Sequence, residues 1–309
     1  MKLNVALCCV AGLIAASAAT ANAEVCHGVR VGSKGAAFAT MNGPNNSGYP
    51  TLIGLSPNKD AVYMGNGYSG SYSWSRIGNA ASKIFAGGDN LFALSPNGSA
   101  VYGFDRTTKN WSWVGGPGAD FVVTDTGTLY ALSPSYSGVY RLNSNKTWSK
   151  VGTGITKLYA GGDKVFGVGN DSNIYKLPTN PSATSPWTRV GGPGAMFAVD
   201  ANGVLYGLSP SRGDVYRYSG YGTSWQWIGG AAGAIYGGAD TLIATNPTNT
   251  QIYEYDDYFA GDWALLSNCS VSEVFAGSGW VFAVDRVNGD VWRMYGNLEG
   301  DTAYNPVTE

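Results

Sequence analysis

Asp120, Lys83, Lys157 and Tyr136 are the side chains through which this sequence could do chemistry at one place. A carboxyl group kept protonated in an apolar setting donates a hydrogen bond. Ammonium and phenol groups can stabilise charge growing on a carbonyl oxygen. Together such donors would bind a polar oxygen at the edge of an apolar cavity, which needs no metal and no nucleophile. The bland readings are that Asp120 accepts bonds from amides of the Pro117–Ala119 turn, and that the lysines form a solvated rim.

Other chemistry is poorly supplied. The one histidine, His27, is read as a solvent-facing strand residue, so neither a Ser-His-Asp triad nor a His-ligated zinc site is expected. Gly115-Gly116-Pro117 and Gly191-Gly192-Pro193 lack the Lys-Ser/Thr of a phosphate loop. Asp89, Asp163 and Asp240 lie in Gly-rich turns, where a carboxylate more readily caps turn amides than binds calcium or sugar. No cofactor and no metal are expected. With 13% charged residues and a net charge of −2, the chain lacks the basic excess of a nucleic-acid binder.

A repeat places these residues. Trp followed three residues later by Val, Ile or Leu recurs at Trp74, Trp111, Trp148, Trp187, Trp225 and Trp263, spaced by 37, 37, 39, 38 and 38 residues. Three further series have seven members each. Aromatics stand at Phe38, Phe85, Phe121, Tyr159, Phe197, Tyr236 and Phe275. Small residues stand at Gly54, Ala93, Ala131, Gly167, Gly207, Ala244 and Ala283, and a Tyr or Trp at positions 63, 102, 140, 175, 216, 253 and 292. Four short apolar runs per unit, separated by Gly-Gly-Asp, Ser-Pro or Asp-x-x-Gly turns, predict four antiparallel strands. Seven such units predict an all-β, seven-bladed β-propeller.

The last unit lacks an outer strand, and Cys26–Gly32 carries the Val-Gly end of the Trp motif. The N-terminal segment is therefore expected to close blade 7 and remove an exposed sheet edge. Aligning the aromatics puts Ala37, Ile84, Asp120, Leu158, Met196, Ile235 and Val274 in one ring, so Asp120 is expected to intrude among apolar residues. Lys83 and Lys157 would flank it from the neighbouring blades. The second-to-third-strand loops differ strongly in sequence, as at Lys59, Tyr136, Arg212 and Asn249, which favours one composite pocket at the channel mouth over one site per blade.

Residues 1–23 read as a secretory signal with an Ala21-Asn22-Ala23 cleavage site, leaving one domain over 24–309, and the apolar run is too short for a bilayer span. Secretion makes a Cys26–Cys269 disulfide the default. Strand directions nevertheless set the two cysteines at opposite ends of blade 7, so either the tail 297–309 closes the blade or the N-terminal segment bends. Glycosylation sequons occur at Asn45, Asn97, Asn110, Asn145, Asn170 and Asn268.

Trp-Ser-Lys-Val-Gly (148–152), Leu-Tyr-Ala-Gly-Gly-Asp (158–163), Val-Phe-Gly-Val (165–168) and Asn-Ile-Tyr (173–175) together resemble the tectonin repeat and the repeats of tachylectin-like lectins. That resemblance implies a propeller and glycan partners. The overall pattern also resembles secreted fungal hetero-Diels–Alderases that join a tropolone quinone methide to a humulene-type alkene. This second resemblance implies a small apolar terpenoid or polyketide ligand. Neither implies a membrane span or a nucleic acid.

Overall fold

The computed structural model describes residues 26, 28–43, 49–67, 72–238, 240–256, 261–277 and 279–294. The expected signal at residues 1–23, His27, Asn45 and the tail 297–309 lie outside the described residues. The chain forms seven four-stranded antiparallel sheets set as propeller blades. Blades 1 to 6 span residues 37–78, 83–115, 120–152, 155–191, 196–229 and 234–267. Blade 7 takes its inner three strands from Val271–Gly277, Trp280–Asp285 and Val291–Met294. Its outer strand is Gly28–Gly32, paired antiparallel to Val291–Met294 with Gly28 opposite Met294. The N-terminal strand therefore closes the ring, as expected.

The repeated tryptophan holds one blade to the next. Each stands at the start of an outer strand and packs on the glycine that ends the outer strand of the preceding blade. A Cβ on Gly115 would come within 2.7 Å of Trp148 Nε1. The indole N–H then donates to a carbonyl of that preceding strand: Trp74 to Val31, Trp111 to Ile77, Trp148 to Val114, Trp225 to Val190 and Trp263 to Ile228, at 2.7–2.8 Å. Trp187 sits on Gly152 in the same way. A longer connection leaves it just outside its strand Thr188–Gly191, and its Nε1 finds no partner.

The seventh junction, between blades 6 and 7, is built differently. Three residues before Val31, the tryptophan place is held by Gly28, where a side chain would run into the Arg293 carbonyl. The receiving glycine is replaced by Ser267. Cys26, two residues before the tryptophan place, is bonded to Cys269, two residues after the glycine place, with Cα atoms 4.6 Å apart. The disulfide thus stands where an indole clamp would be. The expected conflict of strand directions disappears for the same reason: the start of one outer strand always meets the end of the preceding blade's outer strand. Cys269 belongs to the exit from blade 6, so neither the tail nor a special bend is needed.

Strand register divides the blades into two kinds. In blades 1, 3 and 5 the aromatic of the inner strand pairs with the small residue of the second, as in Phe38 with Gly54, Phe121 with Ala131 and Phe197 with Gly207. In blades 2, 4, 6 and 7 the preceding aliphatic residue does so, as in Ile84 with Ala93, Leu158 with Gly167, Ile235 with Ala244 and Val274 with Ala283. A one-residue offset turns a side chain to the other face, so the aromatics meet where a blade of the second kind precedes one of the first. Phe85 stacks on Phe121 at 4.9 Å, Phe275 on Phe38 at 5.5 Å, and Tyr159 meets Phe197 edge-on at 5.8 Å. An odd ring cannot alternate throughout. The like-like junction falls between blades 6 and 7, where Tyr236 packs against the cluster containing the disulfide.

Candidate functional site

The same offset corrects the expected ring around Asp120. The residues at its level, paired to equivalent second-strand positions, are Ala37, Lys83, Asp120, Lys157, Met196, Ala234 and Glu273. Asp120 is not a lone carboxylate among apolar side chains. It is one of several charges on the face that carries the interblade linkers, with Lys83 and Lys157 at the same level in the blades on either side. Its Oδ1 accepts from its neighbour Phe121 N and its Oδ2 from Leu158 N in blade 4, both at 3.0 Å. The carboxylate therefore bridges two blades; the amides it takes are not those of the Pro117–Ala119 turn.

Lys83 is exposed, and Lys157 extends over the Tyr159 ring at 5.1 Å. Tyr136 is 48% exposed at the tip of the second-to-third-strand turn of blade 3. These turns differ in sequence but share one backbone. Lys59, Tyr136, Ser172, Arg212 and Asn249 all hold φ between 55° and 65° at the same place, a left-handed conformation that costs non-glycine residues about 1–3 kcal/mol. The tip carbonyls of Lys59 and Arg212 accept from Ala81 and Ala232 in the following linkers, and that of Asn249 from Val271 at the start of the next inner strand, which fixes them.

Two kinds of cavity result. An axial one of about 450 Å³ is walled by the inner strands, including all seven aromatics, and reaches Asn42, Gly88 and Asp125 at the end away from the linkers. Asp120, Lys83, Lys157 and Tyr136 are not on its wall. At that far end, burial pushes the Asp125 carboxyl up, and nearby Asp200 and Asp240 push it further; the Gly162 amide, 2.6 Å from its Oδ2, opposes them. Burial likewise raises Asp200, which is 2% exposed and accepts from Asn202 N, Val204 N and the Tyr206 hydroxyl. Asp163 pairs with Lys164, and no cluster of metal ligands occurs among the described residues.

A raised carboxyl pKa means that the native state holds the proton more tightly than the unfolded chain. Stability then falls as pH rises from the unfolded pKa through the folded one. Asp125→Asn is expected to melt above the wild type at pH 7, with the gap closing near pH 4, measured by thermal unfolding across that range.

The second kind of cavity recurs between blades, on the linker face. Clefts of about 280, 300 and 340 Å³ open on blades 2, 4 and 5. Each is bounded by the linker from the preceding blade, by the second-to-third-strand turn, by the third-strand tyrosine and by the clamp tryptophan. The aromatic pairs are Tyr102 with Trp111, Tyr175 with Trp187 and Tyr216 with Trp225. Sequence reasoning missed these clefts because divergent turn side chains hid a shared backbone, although the tyrosine and tryptophan series were both visible.

The sequons Asn97, Asn110, Asn145 and Asn170 are exposed. Asn268 is half-buried, its Oδ1 takes the Gln251 amide at 2.8 Å, and it precedes the buried Cys269. No helix among the described residues is long and apolar enough to cross a membrane.

Several solved structures share this architecture. A catalytically inactive virginiamycin B lyase from Staphylococcus aureus with quinupristin aligns with TM-score 0.59 at 7% identity, covering 88% of this chain and 98% of that one. A streptogramin B lyase aligns with TM-score 0.58 at 10% identity over 88% and 96% of the two chains. An oligogalacturonate lyase from Vibrio parahaemolyticus aligns with TM-score 0.57 at 8% identity over 87% and 90%. At such identities the likeness is one of fold alone. No curated protein sequence matches the chain. A family model for the tectonin domain matches residues 51–234.

Proposed function

The chain belongs to the tectonin-domain family, and from that premise we propose that it is a carbohydrate-binding propeller that takes sugar in the clefts between successive blades. One observation carries the reading: a tyrosine and a tryptophan border equivalent clefts on blades 2, 4 and 5. A pyranose ring offers an apolar C–H face and a rim of hydroxyls, which suits an aromatic wall beside backbone donors and acceptors. At about 280–340 Å³ the clefts lie at the small end of ligand sites, which run from roughly 300 to 1,000 Å³. The clamp indoles of blades 2 and 5 spend their N–H on the preceding blade, so they offer ring surface only.

Export from the cell is part of the proposal. The leader-like residues 1–23, the Cys26–Cys269 bond and the four exposed sequons support it.

The axial cavity supports a second reading, binding of one small apolar ligand. A hetero-Diels–Alder reaction there would need a donor on the enone oxygen. Asp120 already accepts two amides and does not reach the cavity wall, and Lys83, Lys157 and Tyr136 stand away from it. We rank this reading second.

The test is binding of the protein to immobilised glycans. Tyr216→Ala is expected to weaken retention about threefold to tenfold, in line with roughly 0.5–1.5 kcal/mol for one aromatic contact, with an unchanged melting temperature. Failure of the wild type to bind any glycan, neutral or acidic, contradicts the proposal.

A further inference from the structure

Resting on the carbohydrate reading, we infer that Trp113 and Trp227 make the clefts of blades 2 and 5 the two sites for neutral sugar rings, and that the cleft of blade 4 is not such a site. The argument begins with register. On every blade the third-strand aromatic has a fixed partner two residues after the tryptophan place of the outer strand. Tyr102 faces Trp113 and Tyr216 faces Trp227. The same place holds Arg76 on blade 1, Lys150 on blade 3, Arg189 on blade 4, Leu265 on blade 6 and Arg30 on blade 7. Cross-strand partners share a face of the sheet, about 5 Å apart at Cβ. Trp113 and Trp227 therefore stand at the rim of the same clefts that Tyr102 and Tyr216 line.

Both indoles are 59–60% exposed. So much bare aromatic surface at a cleft rim marks a binding position. Trp227 is held in place by an indole bond to Asp214 Oδ1 at 3.0 Å. No charged side chain lines the wall of either cleft, and the carboxylate at the blade 5 rim, Asp214, is engaged by the Trp227 indole rather than turned to the cleft tyrosine. Blade 4 is different. Its cleft contains Asp171, which takes the Tyr175 hydroxyl at 2.7 Å, and its rim residue Arg189 donates to Asn173 Oδ1 at 3.1 Å. There the tyrosine is tied to a carboxylate and the platform is a cation.

Blades 2 and 5 are three places apart in a ring of seven. The two clefts are expected to fill independently, so one chain should bind two trisaccharides.

Isothermal titration of the full-length protein with chitotriose, cellotriose and mannotriose, and with trigalacturonate as the acidic comparator, tests this. The expected result is two equivalents of at least one neutral trisaccharide. Trp113→Ala and Trp227→Ala should each remove one site. The double substitution should weaken binding at least tenfold with the melting temperature retained, and Trp113→Phe should restore the blade 2 site. Neutral binding that survives the double substitution, or trigalacturonate taking the same two sites with equal strength, overturns this inference while leaving carbohydrate binding intact. No binding of any sugar by the wild type overturns both.

Discussion

Replacing Cys26 and Cys269 together by serine should lower stability by up to about 5 kcal/mol and should loosen one junction of the ring rather than all seven. The bond spans 243 residues. By loop-closure entropy, a cross-link over so long a loop restricts the unfolded chain by roughly 5 kcal/mol, the upper end for a single disulfide. The native state gives the local part of the prediction. Five other junctions carry an indole hydrogen bond and a sixth carries a seated indole, but between blades 6 and 7 the disulfide alone takes that place, beside Gly28 and Ser267. Without it, closure rests on the pairing of Gly28–Gly32 with Val291–Met294. Denaturant unfolding measures the loss, and hydrogen exchange locates it. Amides of residues 28–32 and 291–294 should exchange faster, while those of blades 2 and 3 keep their protection relative to the remaining global stability. A loss spread evenly over all blades would contradict the clamp role.

Trp148→Ala is expected to cost about 3–5 kcal/mol, the range for emptying a site filled by a large aromatic. Two effects combine. The indole fills the space above Gly115 and packs, as Phe121 and Leu142 do, against the cluster holding Val114 and Leu129, and its N–H satisfies the Val114 carbonyl at 2.7 Å. Trp148→Phe keeps much of the packing and loses the bond, so it should cost less, about 1–3 kcal/mol, since a carbonyl is left unpaired. Urea midpoints of the two variants at constant slope would check this. Equal losses would show that the hydrogen bond carries the whole effect and that the packing argument is wrong.

The architecture was readable because it is written in periodic residues. The tryptophan series, the small residues of the second strand and the Val-Gly of the first strand each mark a position that sterics restrict, and together they gave seven blades and N-terminal closure. What the period concealed was the face of each side chain. Aligning Phe85 with Phe121 is natural by eye, yet the two lie on opposite faces of their sheets, because the inner strand of blade 2 is offset by one residue. The same offset misplaced Asp120 among apolar residues. A period of two means that one residue of slip inverts the reading.

The cysteine pair was judged within one blade, whereas the contact lies between the exit of one outer strand and the entry of the next. The turns misled in the opposite direction. Lys59, Tyr136 and Arg212 share no side-chain chemistry but do share a left-handed backbone, held by their position rather than their identity. The clefts beside these turns are therefore more alike than their sequences. The specificity position at Trp113 and Trp227 becomes visible only once the register is known.

The most direct test of the account is a crystal structure with a bound neutral trisaccharide. Density in the clefts of blades 2 and 5, stacked on Tyr102 and Trp113 and on Tyr216 and Trp227, is the predicted result. A single molecule in the axial cavity, with both clefts empty, would contradict it.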